Sequence, residues 1–149
     1  MEMFRFRASP RARTLILTLL LSGVAVSCGK NGALDPNNEL PFGYLDLPPD
    51  GARVPAGKPL QVAGWALDDS AVKEVRVYFD NRFRAKTSIT ALRPDLVQAY
   101  PSYIHGTNAH GWNVEIEVPD APGPHTILVQ VVDDGGATRD VRPASITVQ

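Results

Sequence analysis

The chain of 149 residues has one cysteine, two methionines and two tryptophans. A single cysteine excludes a disulfide framework and any Cys-x-x-Cys metal site. Fifteen Lys and Arg stand against sixteen Asp and Glu, a net charge of −1, so no positive excess is available to hold nucleic acid. The most apolar run, Thr14 to Val26, is too short for the roughly 20 helical residues that cross a bilayer. Serine has no G-x-S-x-G elbow around it, and the pattern as a whole reads as non-catalytic. What the chain does have is turn formers, 12 Gly and 13 Pro, and 44% hydrophobic residues. That mixture suits one domain that turns often around a real core.

The N-terminus reads as an address. Arg5, Arg7, Arg11 and Arg13 precede the apolar run, and small residues follow it, which is the layout of a secretory signal over 1–27. Ala25-Val26-Ser27-Cys28 resembles the lipobox of bacterial lipoproteins. The resemblance implies cleavage before Cys28 and acyl chains on its sulfur and amine. It also implies a bacterial cell-envelope location, leaning toward the outer membrane because no Asp follows the cysteine. The alternative is a secreted protein with a leftover thiol. Loss of 1–27 removes four arginines and Glu2, leaving 11 basic and 15 acidic residues, a net −4. A chain of that sign is held to a membrane by lipid, not by a basic patch.

Residues 28–42, rich in Gly, Asn and Pro, read as a lipid-anchored tether. From Gly43 the hydrophobic period becomes two. Gly43–Leu47, Pro59–Leu67, Ala71–Asp80, Arg82–Lys86, Trp112–Val118, His125–Val132 and Ala137–Gln149 are expected strands. Val75, Val77 and Phe79 share one face of the clearest of them. Asp80-Asn81 supports a tight turn, Gly64 a bulge or a close backbone approach, and Pro143 an edge or a bulge. Seven strands separated by turn signals predict an all-β, immunoglobulin-like antiparallel sandwich over 43–149. One connection, Ser88 to Gly111, is too long for a plain loop. Pro94 at a first helical position, Asp95 behind it and Pro101 as a stop predict a short helical insertion there.

The pieces GYLDLPPDGARV (43–54), VAGWALDDSAVKEVRVYFDN (62–81), RPDLVQAYP (93–101) and GPHTILVQVVDDGG (123–136) resemble the bacterial immunoglobulin-like domains of exported proteins. That resemblance implies a sandwich used as a spacer, adhesion or binding module, and it supplies no catalytic residues.

In such a topology the connections alternate between two ends, which would bring Asp68, Asp69, Asp133, Asp134 and the insertion together. Four carboxylates could contribute to a calcium site, though Asp-rich turns explain the same residues. Arg93 is expected to pair with one of the four and fasten the insertion. His105 and His110 lack a third ligand at zinc spacing, and His125 reads as a partly exposed strand residue. Trp65, Trp112, Tyr78, Tyr100 and Tyr103 could form a stacking surface for a glycan, or simply be core. The expected contact residues for an envelope protein or glycan are Arg93, Tyr100, Tyr103, His105 and His110. The leading function is an envelope lipoprotein presenting one interaction or structural module. The alternative is a calcium-dependent or carbohydrate-binding adhesin domain.

Overall fold

The structure, a computed structural model, describes residues 37–149. The signal segment 1–27, the acylation residue Cys28 and the tether up to residue 36 lie outside the described residues. Among those described, no helix is long and apolar enough to cross a membrane.

A hairpin at one edge of the larger sheet shows most directly how the sequence sets the fold. Strands β4 (Val72–Phe79) and β5 (Arg82–Thr87) are joined by Asp80 and Asn81, with φ of 48° and 62°. Two successive positive φ values give the turn the twist that matches its flanking strands, and Asp and Asn tolerate that region. The alternation in β4 sends Val75, Val77 and Phe79 inward. Glu74 lies on the opposite face and bridges Arg76 (2.6 Å) and Lys86 (3.2 Å). β8 (Gly123–Asp133) pairs antiparallel with β4, and β9 (Thr138–Val148) with β8. A three-residue strand, β2 (Ala52–Val54), runs parallel to β9 and completes the order β2-β9-β8-β4-β5. The other sheet has the order β1-β3-β7-β6, from β1 (Phe42–Leu47), β3 (Pro59–Leu67), β7 (Ala109–Glu117) and β6 (Ala91–Leu92).

The two sheets enclose one core. Val62, Val75, Val77, Ile127, Val129 and Val131 have no solvent exposure, and Trp112 and Phe79 fill the centre beside them. Each large apolar side chain so buried contributes roughly 1.5–3 kcal/mol, which lets the domain do without a disulfide. Gly64 is where β1 approaches most closely. A Cβ there would collide with the Tyr44 carbonyl and stand 2.8 Å from Trp112.

The immunoglobulin-like sandwich and its seven main strands are therefore present, with two short strands added. Pro143 lies at a bulge: Ile127 pairs with Ala144 but Val129 with Val141, leaving Arg142 and Pro143 opposite one residue. On the other side of β9, β2 pairs only with Ile146–Val148 and does not extend to Pro143. The bulge suits a residue with no N–H to offer the ladder.

The insertion between β5 and β7 contains β6, helix α1 (Pro94–Ala99) and a 3-10 turn (Pro101–Tyr103). Pro94 occupies the first turn of α1, and Leu96 is its buried residue. The Tyr100 N–H closes the helix on Leu96 O at 2.8 Å before Pro101 ends it.

Candidate functional site

Three connections meet at one end of the sandwich: the β3–β4 loop, the β8–β9 turn and the insertion. The two shorter ones are held by carboxylates. Asp68 Oδ2 accepts the Ser70 N–H (3.0 Å) and lies 2.7 Å from the Ser70 hydroxyl, which is also 2.6 Å from Asp134 Oδ1. The Asp134 N–H donates to Ala71 O at 3.0 Å. Asp133 is fully buried. Its Oδ1 accepts the Ala137 N–H (2.7 Å), and its Oδ2 accepts the Asn38 side-chain amide (2.7 Å). Three of the four aspartates thus spend carboxylate oxygens on protein donors, the turn chemistry weighed against calcium, while Asp69 is exposed. Among the described residues no three His, Cys, Asp or Glu side chains are grouped as metal ligands.

Arg93 fastens the insertion, but not to any of those four residues. Its guanidinium reaches Asp46 on β1 (2.7 Å) and Asp95 in the first turn of α1 (2.8 Å). The reason is position: Arg93 follows β6 while Asp46 lies on β1 at the opposite edge of the same sheet, so the guanidinium is directed across that sheet and away from the four aspartates. Bonding to Asp95, with Asp46 beside it, holds the guanidinium more firmly protonated than usual, against the opposing effect of burial. Above this, Phe42 meets three rings edge-on: Trp65 (6.0 Å), Tyr100 (5.4 Å) and Tyr103 (4.9 Å). Edge-to-face contacts of this kind favour packing over an open platform. Trp112 is in the core, so it presents no face to a sugar. Tyr78 packs edge-on against Phe83 on the far sheet. The five aromatics considered for a glycan surface therefore do not share one face.

The residues before β1 take part as well. The Tyr103 hydroxyl donates to Glu39 at 3.0 Å, and Asn38 holds Asp133. Residues assigned to a tether by composition are thus already bonded to the sandwich by Asn38. Nothing local in NNELPF signals this, since both partners lie more than 60 residues away.

Between the loops and the insertion lies a cleft of about 340 Å³. Asp68, Ser70, Tyr103, His105, Thr107 and His110 supply its polar lining, with Leu67, Val72 and Ile89 among the apolar part. Of the expected contact residues it collects Tyr103, His105 and His110. Arg93 and Tyr100 support the insertion without lining the cleft. His105 is exposed, whereas His110 is buried. In two of these lining residues a side-chain atom, Asp68 Oδ1 and His110 Nε2, is buried with no hydrogen-bond partner. Such groups are uncommon in folded proteins and costly. Burial pushes the Asp68 carboxyl above its ordinary range; the Ser70 bonds oppose this, and the charges of Asp69 and Asp133 reinforce it.

Of two further groups, His125 lies outside the cleft and Ser70 lines it. His125 is bonded to Asp80 (2.6 Å) and to Ala121 O (2.7 Å). Its Asp80 bond raises the imidazole above its usual value, helped by the Ala121 carbonyl. Ser70 and Lys73 have the S-x-x-K spacing used by some serine nucleophiles, a signal easily passed over in DDSAVKE. The Ser70 hydroxyl is engaged with Asp68 and Asp134, not with Lys73.

A family model described as a bacterial Ig domain matches residues 41–129. No curated protein matches the chain. Among solved structures, the fibronectin(III)-like modules of Clostridium thermocellum CbhA are similar at 15% identity and a TM-score of 0.46, over 73% of this chain and 45% of that one. Titin Ig tandem domains are similar at 11% identity and a TM-score of 0.41, over 74% and 50%. A chitin binding domain from Burkholderia pseudomallei is similar at 13% identity and a TM-score of 0.39, over 67% and 56%. This chain spans about half the length of those structures.

Proposed function

This chain belongs to the bacterial Ig domain family, and from that premise we propose that it is an exported, lipid-anchored and non-catalytic binding module of the cell envelope. The observation that carries the reading is the loop end. Two turns and a structured insertion converge there on a cleft, whereas a pure spacer needs no such elaboration. Loops set on a rigid sandwich are where binding residues concentrate.

The N-terminal sequence supports the anchor. A basic stretch, a short apolar run and Cys28 in a lipobox-like setting would leave an acylated cysteine at the head of the mature chain. Several acyl chains, at ~0.8 kcal/mol per buried methylene, suffice for stable attachment. Ten residues lead from Cys28 to Asn38. At ~3.3–3.6 Å per residue, that covalent link limits Asn38 to about 35 Å from the lipid. A partner lying on the same membrane is then within reach of the loop end.

The test is Cys28→Ser in the native host, followed by fractionation. The wild type is expected in the membrane fraction and the variant in the soluble fraction. Retention of the variant on membranes overturns the lipid anchor.

A further inference from the structure

The loop-end cleft combines features that the turn chemistry leaves unexplained. Asp68 is 4% exposed, and one of its oxygens is satisfied by Ser70 while the other has no partner. His110 is 9% exposed, and its Nε2 has no partner either. Both residues line the same cleft. No lysine or arginine lines it. Among the described residues, Asp68, Asp69, Asp133, Asp134 and Glu39 have no ion-pair partner. No cationic side chain among the described residues, then, pairs with the carboxylates of this end.

We infer that the cleft binds a primary ammonium group on an apolar stem, held by Asp68 Oδ1 with His110 Nε2 as second acceptor. An ammonium has three donors that can be directed independently. One meets the free carboxylate oxygen. A second meets His110 in the tautomer that carries its proton on Nδ1. The apolar stem lies against Leu67, Val72 and Ile89, with the Tyr103 ring alongside. A guanidinium is the poorer fit: its planar fork pairs best with both oxygens of a carboxylate, and Asp68 has only one to offer. The volume lies at the small end for ligand sites, sized for a stem and its charged head. Either a lysine side chain of an envelope protein or a free alkylamine has this chemistry.

The inference rests on the loop end being the binding end and is independent of the anchor. If no ammonium binds, the ligand chemistry fails while the Cys28→Ser result stands by itself.

The experiment is isothermal titration of the full chain with n-butylammonium, with n-butanol and n-butylguanidinium as controls and Nα-acetyl-lysine methylamide as the protein-side arm. Saturable binding of n-butylammonium, none of n-butanol, and binding of n-butylguanidinium weaker by about tenfold are expected. Asp68→Asn keeps the side-chain shape and should weaken ammonium binding by at least about tenfold. His110→Leu, read in the same way, should weaken it severalfold, which keeps the test valid if Asp68→Asn fails to fold. Tighter binding of the lysine derivative than of n-butylammonium assigns the site to a protein partner, and the reverse order to a free amine. No saturable binding of either ammonium, equal binding of the guanidinium, or unchanged binding in both variants overturns the inference.

Discussion

Asp133→Ala is the sharpest probe of how the loop end is built. The side chain is fully buried and accepts two hydrogen bonds of 2.7 Å, from the Ala137 N–H and the Asn38 amide. Each bond to a charged group contributes about 1.5–3 kcal/mol, and removing the acceptor leaves buried donors unpaired. The expected loss is therefore about 3–5 kcal/mol. For a domain of this size each kcal/mol moves the midpoint by roughly 4–5 °C, so thermal melts should fall by about 12–25 °C. Asp133→Asn keeps an oxygen for Ala137, and the Asn38 amide can turn to face the new NH2, so its loss should be nearer 1–2 kcal/mol. Both oxygens are already engaged by protein donors, so millimolar calcium should leave the wild-type midpoint unchanged. A loss below about 1 kcal/mol for Asp133→Ala, or a wild-type midpoint that rises with calcium and ceases to do so in the variant, would refute this account of the turn.

Two other perturbations bear on the scaffold. His125 has its folded value raised by Asp80, so the stability it contributes is complete below the unfolded imidazole value of about 6.5 and is lost as pH rises through the higher folded value. Burial pushes the Asp80 carboxyl up, but bonds from His125 and the Thr126 N–H bring it below its ordinary value. Its share is therefore present above about pH 4 and lost in stronger acid. Urea melts should show stability declining above neutrality, and His125→Gln should abolish that decline; an unchanged profile in the variant would contradict the assignment. Arg93→Gln cuts the link to a half-exposed Asp46, so global stability should drop by about 1 kcal/mol or less. Hydrogen exchange at the Tyr100 amide should quicken at the same time, and a global loss above about 3 kcal/mol would mean that Arg93 supports the core itself.

The parts of the fold legible in the chain are those in which local pattern and tertiary burial agree. Val75, Val77 and Phe79 alternate because one face of β4 is buried. Asp80-Asn81 turns because both residues accept positive φ. Pro94 and Pro101 bracket α1 because each allows helix on one side only. What escaped is long-range or very short. β2 has three residues and β6 two, too few for any period, and β2 exists through its parallel pairing with β9. The choice of Asp46 by Arg93 spans 47 residues and depends on where β1 lies. Asn38 and Glu39 look like linker by composition and become structural only through Asp133 and Tyr103. For the site, topology alone brings Asp68, Asp133, Asp134, His105 and His110 to one end. That Asp68 and His110 would each keep one buried atom without a partner has no sequence signature.

The claim that most of this reading depends on is export and acylation of the chain. The mass of the mature protein, extracted from envelope membranes of its host, tests it most directly. The account predicts a chain that begins at Cys28 and carries a diacylglyceryl group with a further acyl chain. A species that retains Met1, or one whose Cys28 bears a free thiol, would contradict it.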